Sequence, residues 1–110
     1  MSEAKSPQIL ADEGKSAYQN GDYANAASLF EAAQQGYEAG GEALMAAEMA
    51  NNVSVAYLQA ENAEAALKAV EGTAAIFAQA NDLRRQGMAL GNYAAALEAL
   101  ERNEEAAECY

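Results

Sequence analysis

Gly14-Lys15-Ser16-Ala17-Tyr18-Gln19-Asn20-Gly21-Asp22-Tyr23-Ala24-Asn25-Ala26-Ala27-Ser28-Leu29-Phe30-Glu31-Ala32-Ala33 decides how this chain folds. Gly21-Asp22 separates two segments rich in alanine, the strongest helix former. A glycine lets the backbone turn where a helix stops, and an acid beside it caps the next helix. Small residues at Gly14 and Ala26 leave room for two backbones to approach, and Tyr23 and Phe30 fill the wedge beside them. The stretch therefore predicts a helical hairpin, with helices over 7–20 and 22–39.

Working outward, the same punctuation recurs. Ser6-Pro7 reads as an N-cap followed by proline at the first helical position. Gly40-Gly41 is a plain break, and Asn62, Asn81 and Asn103 stand where caps are wanted. Glu104 and Glu105 follow Asn103 in a first turn, where the helix dipole favours anions. Further helices are predicted over 42–60, 62–80, 82–100 and 103–110, and connections this short make neighbours antiparallel. Leu67, Val70, Ala74 and Phe77 recur at helical spacing, as do Met49, Val53, Ala56 and Ala60. No stretch alternates with period two, so no strand is expected. Gly72 falls inside the 62–80 helix, where it costs roughly 1 kcal/mol against alanine; close packing or a local kink would compensate.

The hairpin repeats. A shift of 39 carries Ala17, Tyr18, Ala26 and Ala27 onto Ala56, Tyr57, Ala65 and Ala66, and a shift of 41 carries Asn51, Glu64, Ala65 and Ala66 onto Asn92, Glu105, Ala106 and Ala107. Several matches in one register, agreeing with the helix breaks, mark a repeat architecture even in an alanine-rich chain.

The pattern Gly14-x-x-Ala17-Tyr18-x-x-Gly21-Asp22-Tyr23-x-x-Ala26-x-x-x-Phe30-x-x-Ala33 resembles the tetratricopeptide repeat (TPR). The second unit keeps Ala65 but has Ala69 where the first has Phe30; the third keeps Ala106 and has Tyr110 at the aromatic position. The resemblance implies an all-α fold, a right-handed solenoid of antiparallel helix pairs (a TPR-like α-α superhelix). About three units, at 7–39, 42–80 and 82–110, would form a single domain over 1–110. A period of 39 to 41 against the usual ~34 is similar to the extended variants found in bacterial regulators and motor-protein light chains. The proline that usually follows the second helix is replaced by Gly40-Gly41 and Asn81-Asp82. The last unit is incomplete: an apolar face of the 82–100 helix, with Leu83, Leu90, Ala94 and Leu97, is expected to lie partly uncovered. Either the chain is a fragment or a partner covers that face.

Composition narrows the function. The net charge of −11, from 17 acidic and 6 basic residues, disfavours nucleic acid and anionic membranes as partners. Cys109 is the single cysteine and cannot close an internal disulfide, so the reducing cytoplasm is the expected location. Met1-Ser2-Glu3-Ala4-Lys5 leads into no apolar segment, so neither a signal peptide nor a transmembrane helix is expected. Histidine is absent, which removes the commonest general base and metal ligand. The carboxylates read as dipole partners and solvated charge, and no calcium loop, P-loop or dinucleotide fingerprint is present. We expect a protein that is not an enzyme and needs no cofactor or metal. Gly87-x-x-x-Gly91 is expected to admit a neighbouring helix closely.

In the family that the first unit resembles, the first helices of each pair line a concave peptide-binding groove. Register with that pattern implies Gln8, Ala11, Asp12, Lys15, Tyr18 and Gln19 from unit one, and Ala47, Asn51, Ser54, Tyr57 and Leu58 from unit two. Unit three adds Met88, Gly91, Asn92 and Ala95. The candidate peptide-binding residues are Lys15, Tyr18, Gln19, Asn51, Ser54, Tyr57 and Asn92. An amide at Asn51 and at the equivalent Asn92 can donate to and accept from an extended backbone at once. Asn51 and Asn52 equally suit contacts between neighbouring helices, and Tyr18 and Tyr57 equally suit packing. The groove lacks the several Lys, Arg and Asn by which some family members clamp a C-terminal carboxylate. The resulting expectation is a scaffold or adaptor for a neutral or basic protein segment. The alternative is a self-assembly module of a larger regulatory protein, a homodimer through the open third unit.

Overall fold

The computed structural model describes residues 5–108, with side chains through residue 104. The expected positions of Cys109 and Tyr110, and of Met1 to Ala4, lie outside the described residues. Six helices follow in order: α1 (Pro7–Gln19), α2 (Tyr23–Ala39), α3 (Ala43–Gln59), α4 (Ala63–Ala69), α5 (Thr73–Gln79) and α6 (Leu83–Glu108). Among the described residues there is no strand, and no helix is long and apolar enough to cross a membrane.

Four reversals, at residues 21, 41, 61 and 81, share one geometry at a spacing of twenty residues. Gly21, Gly41, Glu61 and Asn81 take φ of 79°, 76°, 62° and 60°. In each turn the next N–H reaches back five residues: Asp22 to Ala17 (2.9 Å), Glu42 to Tyr37 (2.9 Å), Asn62 to Tyr57 (2.8 Å) and Asp82 to Phe77 (2.9 Å). This Schellman closure satisfies carbonyls that a helix end leaves without partners. Side chains cap the following helices unevenly. Ser6 Oγ accepts from Ile9 N–H at 3.2 Å, Asn62 from Ala65 at 3.2 Å and Asp82 from Arg85 at 3.1 Å. Asp22 makes no side-chain cap bond, so its helix starts from the Gly21 turn alone.

Two expected elements are corrected. The helix predicted over 62–80 is two helices, α4 and α5, because Gly72 turns left-handed at φ 77° rather than merely kinking the backbone. The break predicted at Arg102-Asn103 is absent: α6 runs unbroken through it for 26 residues. An Asn in an exposed helix costs only tenths of a kcal/mol, about 0.7 at most, and no left-handed residue stops the chain there. The expected third hairpin is therefore one long helix.

Consecutive helices pack on one another from α1 to α4, and α3 also touches α5 and α6. The molecule measures 52 × 35 × 20 Å. Its thin dimension is about two helix diameters of 10–12 Å, so the helices lie in two layers.

Two cores result. The first joins α1, α2 and α3 around Phe30, Tyr37, Met49 and Val53, closed up by alanines such as Ala26, Ala27, Ala33 and Ala56. A Cβ on Gly14 would stand 2.8 Å from the Phe30 ring, so the glycine makes room for the aromatic, as the hairpin reading requires. The second core is Phe77 of α5 against Ala47 and Ala89, with Ala74 beside it. Ala26 is fully buried as expected, but at the equivalent place in the second unit Ala65 is half-buried and Ala66 is sealed. Ser54 Oγ donates to the Ala66 carbonyl at 2.9 Å, which draws α4 onto α3 at Ala66 instead.

Candidate functional site

A hollow of about 210 Å³ opens between α1 and α3, lined by Lys15, Tyr18, Gln19, Phe30, Asn52 and Val55. Its position follows from the first hairpin. The Gly21 turn folds α2 back on α1, Gly14 admits the Phe30 ring, and that ring forms the floor. Tyr18 packs edge-on against Tyr23 at 5.1 Å between ring centroids, which fixes it at the rim. Lys15 and Gln19 are exposed on the α1 side. On the α3 side the Asn52 amide donates to Met49 Sδ at 3.9 Å, a weak bond that leaves its carbonyl oxygen available.

The structure divides the candidate residues. Lys15, Tyr18 and Gln19 are brought together at this hollow. Asn51 and Ser54 are buried in the helix packing, at 3% and 0% exposure, and present no surface to a peptide. Ser54 spends its hydroxyl on Ala66, and Asn51 Oδ1 has no hydrogen-bond partner among the described residues. Tyr57 lies on another side of α3. Its hydroxyl donates to the Glu31 carboxylate of α2, in a depression it shares with Lys68 of α4. That bond, then partial burial, then the Glu31 charge push the Tyr57 pKa up from 10.0 to about 12. Asn92 sits half-buried on α6, away from the hollow.

Asn52 and Val55 replace Asn51 and Ser54, a shift of one residue and so about 100° around the helix. The sequence held a signal for this. Positions 47, 51, 54 and 58 carry Ala, Asn, Ser and Leu, whereas 48, 52, 55 and 59 carry Glu, Asn, Val and Gln. A charge at one end and a glutamine at the other mark the second set as the solvent side. Glu48 on that face pairs with Arg85 of α6 at 3.4 Å, tying α6 to the same side of α3. Arg85 also grips Asp82 at 2.9 Å and holds its carboxyl below the ordinary carboxylate range.

Chemically the hollow offers an aromatic floor, an amide, a phenol and one ammonium, with no carboxylate in the lining. These are groups that hold a side chain and a stretch of backbone. No family model, curated protein or solved structure was found to match this chain.

Proposed function

We propose that this chain is a tetratricopeptide-type scaffold of the cytoplasm, a right-handed solenoid of antiparallel helix pairs. In this reading it holds a neutral or basic segment of another polypeptide in the hollow between α1 and α3. The observation that carries the reading is the Phe30-floored hollow rimmed by Lys15, Tyr18, Gln19 and Asn52. The architecture is supported by four like turns at twenty-residue spacing, which make each pair of helices about one repeat long. The phenyl floor takes an apolar side chain, while the Asn52 carbonyl and Gln19 amide address the backbone beside it. The net charge of −11 draws cationic segments toward the molecule as a whole. Lys15 sets the finer requirement that the residue seated beside it not be basic.

Selection from a displayed peptide library tests this. Retained peptides carry an apolar anchor and a neutral or basic net charge. Gln19→Ala combined with Asn52→Ala weakens them by at least about tenfold, which is about 1.4 kcal/mol, while the melting temperature holds. Selected peptides indifferent to both changes would place binding elsewhere and end this reading. The alternative, a self-assembly module, is favoured by one observation of its own, the exposed outer face of α6.

A further inference from the structure

We propose that the outer face of α6 is the contact surface for a second copy of this chain, paired antiparallel across Gly91 and Ala94. Ala89 and Ala96, at 1% and 0% exposure, mark the inner face of the helix. Opposite them, at helical spacing, lie Leu83, Gly87, Leu90, Gly91, Ala94 and Leu97, and all six are exposed. Leu83 is 75% exposed and Leu90 55%. Three of the nine large apolar side chains exposed among the described residues, Leu83, Leu90 and Leu97, lie on this one face at intervals of seven residues.

The glycines are the second observation. A glycine inside a helix is unfavourable unless something needs the missing Cβ. Within the chain that need is plain at Gly14, where a Cβ would meet Phe30 at 2.8 Å, and at Gly36, where it would meet Pro7 at 3.0 Å. At Gly87 and Gly91 a Cβ would meet nothing within 4 Å. Their smallness serves no contact inside the molecule; it fits a helix approaching from outside.

Charge selects the occupant and its direction. Arg84 lies at the start of the outer face and has no ion-pair partner within 4.0 Å among the described residues, whereas Glu98 and Glu101 lie toward its end. Arg84 and Glu101 stand equally far on either side of the Gly91–Ala94 midpoint. An antiparallel copy therefore sets each Arg84 beside the other's Glu101, twice per dimer, as a two-fold axis requires. A parallel copy would set like charges together. The face from Leu83 to Glu101 is about 27 Å long and one helix wide, at the small end of specific interfaces, so the pairing is weak and must be sought at high concentration.

Sedimentation equilibrium of the chain from about 10 μM to about 1 mM is the test, and the mass is expected to rise toward twice the monomer. Gly91→Leu keeps the helical circular dichroism and weakens the dimer at least about tenfold; Gly91→Ala, the gentler change, weakens it less. Arg84→Glu and Glu101→Arg each weaken it, the second although it reduces the net negative charge, and the two together restore it. A monomer at every concentration overturns the proposal. So does a dimer indifferent to Gly91→Leu, or a charge exchange that fails to restore, which would point to a parallel pair or to a different surface.

Discussion

Gly14 and Gly91 are both helical glycines, and they stand in opposite situations. Gly14 is enclosed against Phe30, while Gly91 faces open space. The contrast extends to the halves that contain them. In α1–α3, four large side chains share one core with a dense set of alanines. In the second core, Phe77 alone meets three alanines. The first half settles its packing within itself; the second hangs on one aromatic ring and leaves its longest helix half bare. Close packing by small residues stabilises only where a partner surface arrives to use the room, since dispersion needs atoms on both sides of a gap.

The largest effect that would test this contrast is Phe77→Ala. Removing a fully buried phenylalanine costs about 3–5 kcal/mol, and here no second large side chain remains to close over the space. Amide hydrogen exchange should quicken throughout α5 and α6 while α1 and α2 keep their protection, because units in such an array depend chiefly on neighbours. Uniform loss of protection over all six helices would show the two cores to be a single cooperative unit.

Next in size come the glycines, where Gly14 and Gly91 should give opposite signs. Gly14→Ala drives a Cβ into the Phe30 ring; overpacking costs about 1–3 kcal/mol, more than the helix-propensity gain of about 1 kcal/mol. Gly72→Ala places a side chain at φ 77° and costs about 1–2 kcal/mol. Gly91→Ala, measured in dilute solution, should stabilise by up to about 1 kcal/mol. Thermal melts of the three variants decide it. A Gly91→Ala variant that melts below the parent in dilute solution would mean that α6 is already packed against something.

How well the sequence announced this structure follows the same division. The boundaries of α1, α2 and α3 were legible to within a residue or two because Gly21-Asp22, Gly40-Gly41, Ser6-Pro7 and Asn62 are unambiguous stops and starts. Gly72 was visible as an anomaly, but a glycine in an alanine-rich helix is compatible with packing, with a kink or with a left-handed turn. Only its backbone angle separates the three. Asn103 looked like a cap, yet capping needs the preceding backbone to leave the helix, and nothing at Glu101 or Arg102 obliges it to. At the hollow, Lys15, Tyr18 and Gln19 were reached through their register in the first hairpin. The α3 side was missed by one residue. Register with the family pattern put Asn51 and Ser54 in the groove; the rotation of α3 is fixed instead by Ala47, Val53 and Ala56 going inward, which carries both polar side chains in with them.

The smallest effect belongs to the seam between α2 and α3, where Tyr57 donates to Glu31 across 26 residues of sequence. The fold holds this phenol in its neutral form: the bond to Glu31, partial burial and the nearby negative charge raise its pKa to about 12 from the ordinary 10.0. In the unfolded chain it ionises at the ordinary value. Between pH 10 and about 12 the unfolded state has therefore released a proton that the folded state keeps. Stability from this group is full below pH 10 and falls as pH rises toward 12. Tyr57→Phe removes the group and serves as the reference. The difference in urea midpoint between parent and variant should be largest below pH 10 and shrink across that window. The tyrosinate absorbance of the parent should contain a component near pH 12 that the variant lacks. The seam between α3 and α6 gives the contrasting case, because Glu48 and Arg85 are exposed and their pairing is screened by salt. Salt should act on α6 and alkali on α2. A Tyr57 contribution that stays constant from neutral pH to pH 12 would mean the phenol does not hold α3 to Glu31, and the first core would then rest on its apolar contacts alone.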